Sequence, residues 1–504
     1  MEIRVTTVAQ TINTIHLQRT ATPKLWRRAA FYFVISLICL IPCLWQSRIQ
    51  SGDLASHIYN VWLVQLIQQG QIQGLFIAHQ ATNVAFDLLL SGLFDVAGSS
   101  LSQRIAVGMC VLIFFWGAIY FIFQLSCAPA RNPWIVFPLI GMLAYSWVYH
   151  MGFFNYYLSV GLCFWSLGLI CRWALLRVSV AATLLCLAAV AHGMPPLWCL
   201  GQIVYLWLAR KSRPRHRILL LSGSALTLVI LHFAAMRVFQ SVWSPRIAFF
   251  TTTGADQFWV FGAKYFVISA AFLILTGIWS YRFVSRRGWF QTVLDRRVQL
   301  LALNVLGVFL IPNEIVPPGY TVRLGYVATR LSIVLPVLIC VVAMSVRGSR
   351  AELLATCVTA ALFFSFVYAD ERALNGLENR LEAAVGTVPA RERVVFLVQS
   401  EEQRANPGDQ ILDRVCIGRC FSYGNYEAST RQFRVRASGP NSIVMWDHGD
   451  FASFAAGRYA VQTQDLPLWV VGQCEAGGTK FCAHAAKEGE VLVTQIARSL
   501  PALW

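Results

Sequence analysis

Eleven apolar stretches constrain what this chain can fold into, near residues 29–46, 105–125, 133–149, 154–172, 178–194, 197–209, 217–238, 263–281, 298–312, 327–346 and 351–369. A helix needs about 20 apolar residues to cross a bilayer, since each residue rises ~1.5 Å and the hydrocarbon layer is ~30 Å thick. Of the 504 residues, 57% are apolar and only 13% charged, and the charges collect between the stretches. The pattern predicts an α-helical polytopic membrane protein with about eleven spans. Basic residues fall in every second connection: Lys24, Arg27 and Arg28, then Arg131, then Arg172 and Arg177, then Arg210 to Arg217, then Arg282 to Arg297, then Arg347 and Arg350. By the positive-inside rule those connections are cytoplasmic, which places the N-terminus inside and, after an odd number of spans, the C-terminus outside. The formal charge of +17 is therefore a topology signal, and no nucleic-acid partner is expected.

Three parts are expected: a cytoplasmic tail at 1–28, a membrane domain at 29–369 with a large first outer loop at 48–104, and a small extracytoplasmic α/β domain at 370–504. The first span reads as uncleaved, because a long polar stretch precedes it and no small-residue cleavage site follows. Ten of the 14 cysteines sit in or beside apolar stretches, where a thiol behaves as a small hydrophobe. The other four, Cys416, Cys420, Cys474 and Cys482, lie in the C-terminal region, where an oxidising compartment favours disulfides over zinc. That region opens on an amphipathic pattern from Ala373 to Val385. Strand patterns follow at Arg393 to Val398, Ser442 to Trp446, Tyr459 to Gln464 and Leu466 to Val471.

Ionisable groups at membrane depth are costly and mark substrate paths, and here most of those that are not positive-inside arginines fall on the outer side. The first outer loop holds Asp53, His57, Asp87 and Asp95, the second His150 and Asn155, and the third His192. Lys264 belongs to the fourth, and Glu314, Arg323 and Arg330 to the fifth. Asp53 directly follows the first span. Its helix would carry Asp53 and His57 on one face and Leu54, Ile58, Val61, Trp62 and Leu66 on an apolar face resting on lipid or other helices. Blander roles compete: Asp53 as a helix N-cap, Asp87 and Asp95 as solvated ends of the short apolar run Leu88 to Phe94, His150 and Asn155 as loop packing, and Arg330 snorkelling to headgroups.

This layout resembles the GT-C superfamily of polytopic glycosyltransferases, over about residues 25–370. The likeness rests on the cytoplasmic N-terminus, Asp53 just after the first span with an amphipathic helix behind it, and the external C-terminal domain. The segment Gly152-Phe153-Phe154-Asn155-Tyr156-Tyr157-Leu158 is also similar to one common in uncharacterised bacterial proteins of this type. The paired Asp-Glu of protein O-mannosyltransferases and the Trp-Trp-Asp motif of oligosaccharyltransferases are both absent, which argues against a protein acceptor.

The resemblance implies a protein of the bacterial inner membrane that moves a sugar from a polyprenyl-phosphate-linked donor to an acceptor at the extracytoplasmic face, with membrane lipid around it. Asp53 would be the base, with His57 beside it in the catalytic set, and Arg330, Arg323 or Lys264 would meet the departing phosphate. Asp87, His150, Asn155, His192 and Glu314 complete the expected binding set. The sequence assigns no cofactor, and a divalent metal ion stays open. Two other classes compete: a transporter or flippase of a lipid-linked sugar, for which no inverted repeat is visible, and a non-catalytic envelope protein.

Overall fold

The computed structural model describes residues 26–126, 133–316, 323–400, 404–475, 478–493 and 495–497. Most of the expected cytoplasmic tail, with Lys24, and Arg131 lie outside the described residues. The protein is mostly helical with a small C-terminal sheet region. Among the described residues, five helices are long and apolar enough to cross a membrane: Trp26–Cys43, Ala85–Ser126, His216–Val238, Ala263–Arg287 and Arg350–Val385.

Length and apolarity do not by themselves reproduce the expected count of eleven. Phe154–Ile170, Leu175–Ala191 and Val327–Ala343 are apolar but shorter, and the stretch at 133–149 breaks into Val136–Ala144 and Trp147–His150. An apolar run is required equally by lipid and by a protein interior. The Phe154–Ile170 helix is buried along most of its length, whereas no residue of His216–Val238 is buried. The first owes much of its apolar character to neighbouring helices, and the second leaves Leu219, Leu226, Ile230 and Phe233 exposed.

The first outer loop is largely ordered. After the helix Leu54–Gln68 comes a strand, Leu75–Ile77, and then the 42-residue helix Ala85–Ser126, broken at Gly98, whose φ of 70° and ψ of 175° are not helical. The run Leu88 to Phe94 is thus the outer part of a long kinked helix. Of the two supports expected for the apolar face of Leu54–Gln68, lipid or other helices, the structure has protein, and both faces are covered: Leu54, Ala55, Ser56, His57, Ile58, Tyr59 and Asn60 are all buried. Its polar side meets the C-terminal domain, where the Tyr59 hydroxyl accepts from Ser422 N at 2.9 Å and Asn60 Oδ1 accepts from Asn425 Nδ2 at 2.9 Å.

The amphipathic pattern from Ala373 to Val385 continues the last long helix, so Arg350–Val385 runs unbroken through residue 370 into the C-terminal region. There a four-stranded mixed sheet orders Phe481–Ala485, Leu468–Gln473, Arg393–Phe396 and Phe421–Ser422, the first pair antiparallel and the other two parallel. Residues Ser442 to Trp446 form no strand, and Asn441 Oδ1 instead accepts from the backbone of Ile443 and Val444 in a turn. The stretch after Tyr459–Ala460 becomes the 3-10 turn Thr463–Asp465. Cysteine pairing is local: Cys416 with Cys420, and Cys474 with Cys482.

The two regions are stitched together. Strand Leu75–Ile77 of the first outer loop pairs antiparallel with Val435–Ala437, and Arg414 makes a buried ion pair with Glu378 on the long helix, Nη2 to Oε2 at 2.7 Å. This seam places the C-terminal domain directly over Asp53.

Candidate active site

The short link His150-Met151-Gly152 lies against the turn that carries Asp53. Gly52 N donates to the His150 carbonyl at 2.8 Å and Asp53 N to the Met151 carbonyl at 3.1 Å. At Gly152 a Cβ would stand 2.3 Å from Asp53 N, and φ there is +82°, so glycine is required both by space and by backbone conformation. Downstream, the Phe153 ring lies under the Arg330 guanidinium at 3.6 Å from its centroid. Asn155 then accepts from Phe86 N at 2.8 Å and donates from Nδ2 to Asp87 Oδ2 at 2.9 Å. A stretch of four residues thereby sets the positions of Asp53, Arg330 and Asp87.

The Asp53 carboxylate occupies the N-cap position of its helix without capping it, since no side-chain hydrogen bond to the helix forms. It accepts from Gln410 Nε2 at 3.2 Å and from the Tyr426 phenol, both in the C-terminal domain. Burial raises its pKa above the ordinary carboxylate value, and the positive charges of His57 and Arg330 pull it back only in part. Other carboxyls close in from the same domain. Burial pushes Glu427 up to about 8, Asp413 to about 7 and Asp409 to about 6.

His57 Nδ1 sits 2.8 Å from Asp87 Oδ1 and 4.0 Å from Glu427 Oε1. Burial alone would strip its proton, but the Asp87 charge and hydrogen bond prevail and lift its pKa to about 10. At neutral pH His57 is therefore an imidazolium donating to Asp87. It supplies positive charge beside Asp53. Arg330 keeps its Nε buried and without a hydrogen-bond partner, and no hydrogen bond joins it to Asp53 among the described residues, although each feels the other's charge. It is not snorkelling outward; it is stacked in place.

The remaining expected residues are distributed differently. His192 borders the centre: its ring meets Tyr156 edge-on with centroids 5.3 Å apart, its Nδ1 accepts from Met194 N at 3.2 Å, and Tyr156 donates to the Arg330 carbonyl at 3.0 Å. His150 is buried beside the Asp53 turn but faces Phe261 and the Gln50 carbonyl. Lys264 is held by Asp370, and Glu314 and Arg323 pair with each other at 3.2 Å in an exposed position. Asp95 accepts from Gln65 at an exposed position.

Gln410, Tyr426 and Glu427 were not legible as site residues. They lie more than 350 positions from Asp53 in the chain, and no spacing rule links them to it. Buried Glu427, with Oε1 unpartnered, carries the clearest structural mark.

Next to the charged centre lies an apolar groove of about 580 Å³ between the helices Met194–Lys211, His216–Val238 and Arg296–Leu310, lined by residues that include Met194, Trp198, Leu228, Leu231, Leu303 and Leu331. Leu331 and Met194 bring it within one residue of Arg330 and two of His192 along the chain. Among the described residues no group of three or more His, Cys, Asp or Glu side chains gathers to hold a metal.

Comparison of the chain with protein-family models, with curated proteins and with solved structures finds no match in any of the three. What the site can do follows from its own chemistry. It offers a cluster of buried carboxyls with raised pKa that includes Asp53, an arginine with hydrogen-bonding capacity in reserve, and an adjacent apolar groove at the end of a helical bundle.

Proposed function

We propose that this protein is an inverting glycosyltransferase of the GT-C type, which takes its sugar from a polyprenyl-phosphate-linked donor at the extracytoplasmic membrane face. The observation that carries this reading is the placement of Asp53 and Arg330 around Gly152 and Phe153, both charged groups with capacity left over after their structural contacts. An acceptor hydroxyl attacks the anomeric carbon as its proton passes to Asp53. The bond from that carbon to the donor phosphate breaks, and the phosphate leaves with the negative charge, which Arg330 meets.

The apolar groove beside Arg330 suits the polyprenyl chain, because an isoprenoid needs apolar walls that open toward lipid while its phosphate stays with the cation. The two disulfides of the C-terminal domain favour an oxidising compartment for it, in keeping with the orientation from the basic connections.

The test is transfer of radiolabelled sugar from polyprenyl-phosphate donors by the purified protein, with Asp53→Asn alongside. The expected outcome is transfer that falls by about 10²-fold or more in the variant. Full activity of Asp53→Asn would sink the assignment.

A further inference from the structure

At the end of the bundle away from Asp53, three connections converge on two adjoining crevices. The long kinked helix fixes the polarity: it starts beside His57, through Asp87, and ends at Ser126, whose carbonyl accepts from Arg297. The 28 residues after its kink rise on the order of 40 Å, the depth of a bilayer with its headgroups. One crevice, of about 460 Å³, is polar and lined by Arg217, Arg287, Arg296 and Arg297, with Asp295 as its acid. Asp295 is already engaged by Arg287 and Arg297.

The other crevice, of about 280 Å³, shares Arg296 and adds Arg210 at its mouth, while Leu167, Ile170, Ile203 and Leu206 form an apolar wall. Trp173 and Trp207 flank this wall half-exposed, and the Lys211 ammonium lies 3.9 Å over the Trp207 ring. Positive-inside sorting explains basic residues in these connections, but it does not explain their convergence from separate helices on one concavity that has an apolar wall and interfacial tryptophans.

We infer that these crevices bind an anionic phospholipid, with the headgroup phosphate among Arg210, Arg217 and Arg296 and an acyl chain along Leu167, Ile203 and Leu206. The apolar wall favours a lipid over free phosphate, which would need only the cations. This site is independent of the transferase reading, lies at the opposite membrane face, and concerns a resident lipid rather than the sugar donor.

The test is native mass spectrometry of the full-length protein in neutral detergent, titrated with phosphatidylglycerol or phosphatidylcholine. Phosphatidylglycerol should be retained as a discrete adduct and phosphatidylcholine should not. The double variant Arg210→Gln with Arg217→Gln should weaken retention by on the order of tenfold, while Arg210→Lys with Arg217→Lys, which keeps the charges, should preserve most of it. Arg347→Gln, in a basic connection that lines neither crevice, should leave it unchanged and so controls for diffuse charge. Equal retention of both lipids, equal loss in Arg347→Gln, or no loss in the double glutamine variant would each overturn the inference, as would displacement of the lipid by millimolar inorganic phosphate.

Discussion

Asp53 is a carboxylate whose environment has been altered without its being consumed. Its pKa is raised by burial and restrained by His57 and Arg330. As the proposed base it must be ionised to work, so activity should fall as pH drops through a limb lying above the ordinary carboxylate range. Replacing Arg330 by Gln removes a charge that lowers this pKa, so the limb should move to higher pH as kcat/KM declines. A rate-versus-pH profile of the variant with an unmoved limb would show that Arg330 does not act on Asp53. His57 follows the opposite sign. Its pKa, raised from 6.5 to about 10, contributes stability that is fully present below about pH 6.5 and is lost as pH rises through about 10. Thermal midpoints measured from pH 7 to 10.5 should therefore decline in the native protein. Asp87→Asn leaves the buried imidazole without its anion, so it should cost about 3 kcal/mol near neutrality and flatten that decline.

At the scale of elements, the decisive feature is the contact between the Asp53 turn and the segment Gly152 to Asn155. Gly152→Ala places a Cβ against Asp53 N, at a backbone conformation that L side chains rarely adopt. The penalty is on the order of 1–3 kcal/mol, and it should appear both as a lowered thermal midpoint and as a loss of transfer. Gly141→Ala, in the helix Val136–Ala144 where a Cβ would meet nothing within 4 Å, should lower neither. The resemblance to bacterial GT-C proteins already rested on the Gly152 to Leu158 segment, but its role as the element binding Asp53, Arg330 and Asp87 together depends on contacts between helices remote in sequence.

At the scale of the whole molecule, the C-terminal domain is part of the candidate site. Gln410 and Tyr426 reach Asp53, and Glu427 approaches His57. Its hold on the bundle runs through Arg414, which bonds Glu378, the Ile49 carbonyl and Gln103. Arg414→Met leaves Glu378 buried with a weaker partner in Arg48, 3.4 Å away, and should destabilise the seam by about 3 kcal/mol. Limited proteolysis between residues 386 and 392, the stretch between the long helix and the first strand of the sheet, should accelerate in that variant and transfer should fall with it. Intact transfer in a chain whose seam has loosened would remove the domain from the reaction.

The sequence by itself determined the helical, membrane-type character of the chain, the candidate charged residues and the C-terminal cysteine set, because apolar run length and residue chemistry are local properties. It marked Asp53, His57, Asp87, Asn155 and Arg330, all of which the structure brings to one centre. Only tertiary structure separated an apolar helix that stays largely exposed, His216–Val238, from an enclosed one, Phe154–Ile170, since both obey the same composition rule. Tertiary structure alone also recruited Gln410, Tyr426 and Glu427, and paired Lys264 with Asp370 and Glu314 with Arg323, away from the centre. Which charges meet is set by how distant segments pack, and a buried charge takes its pKa and its role from the neighbours that packing supplies.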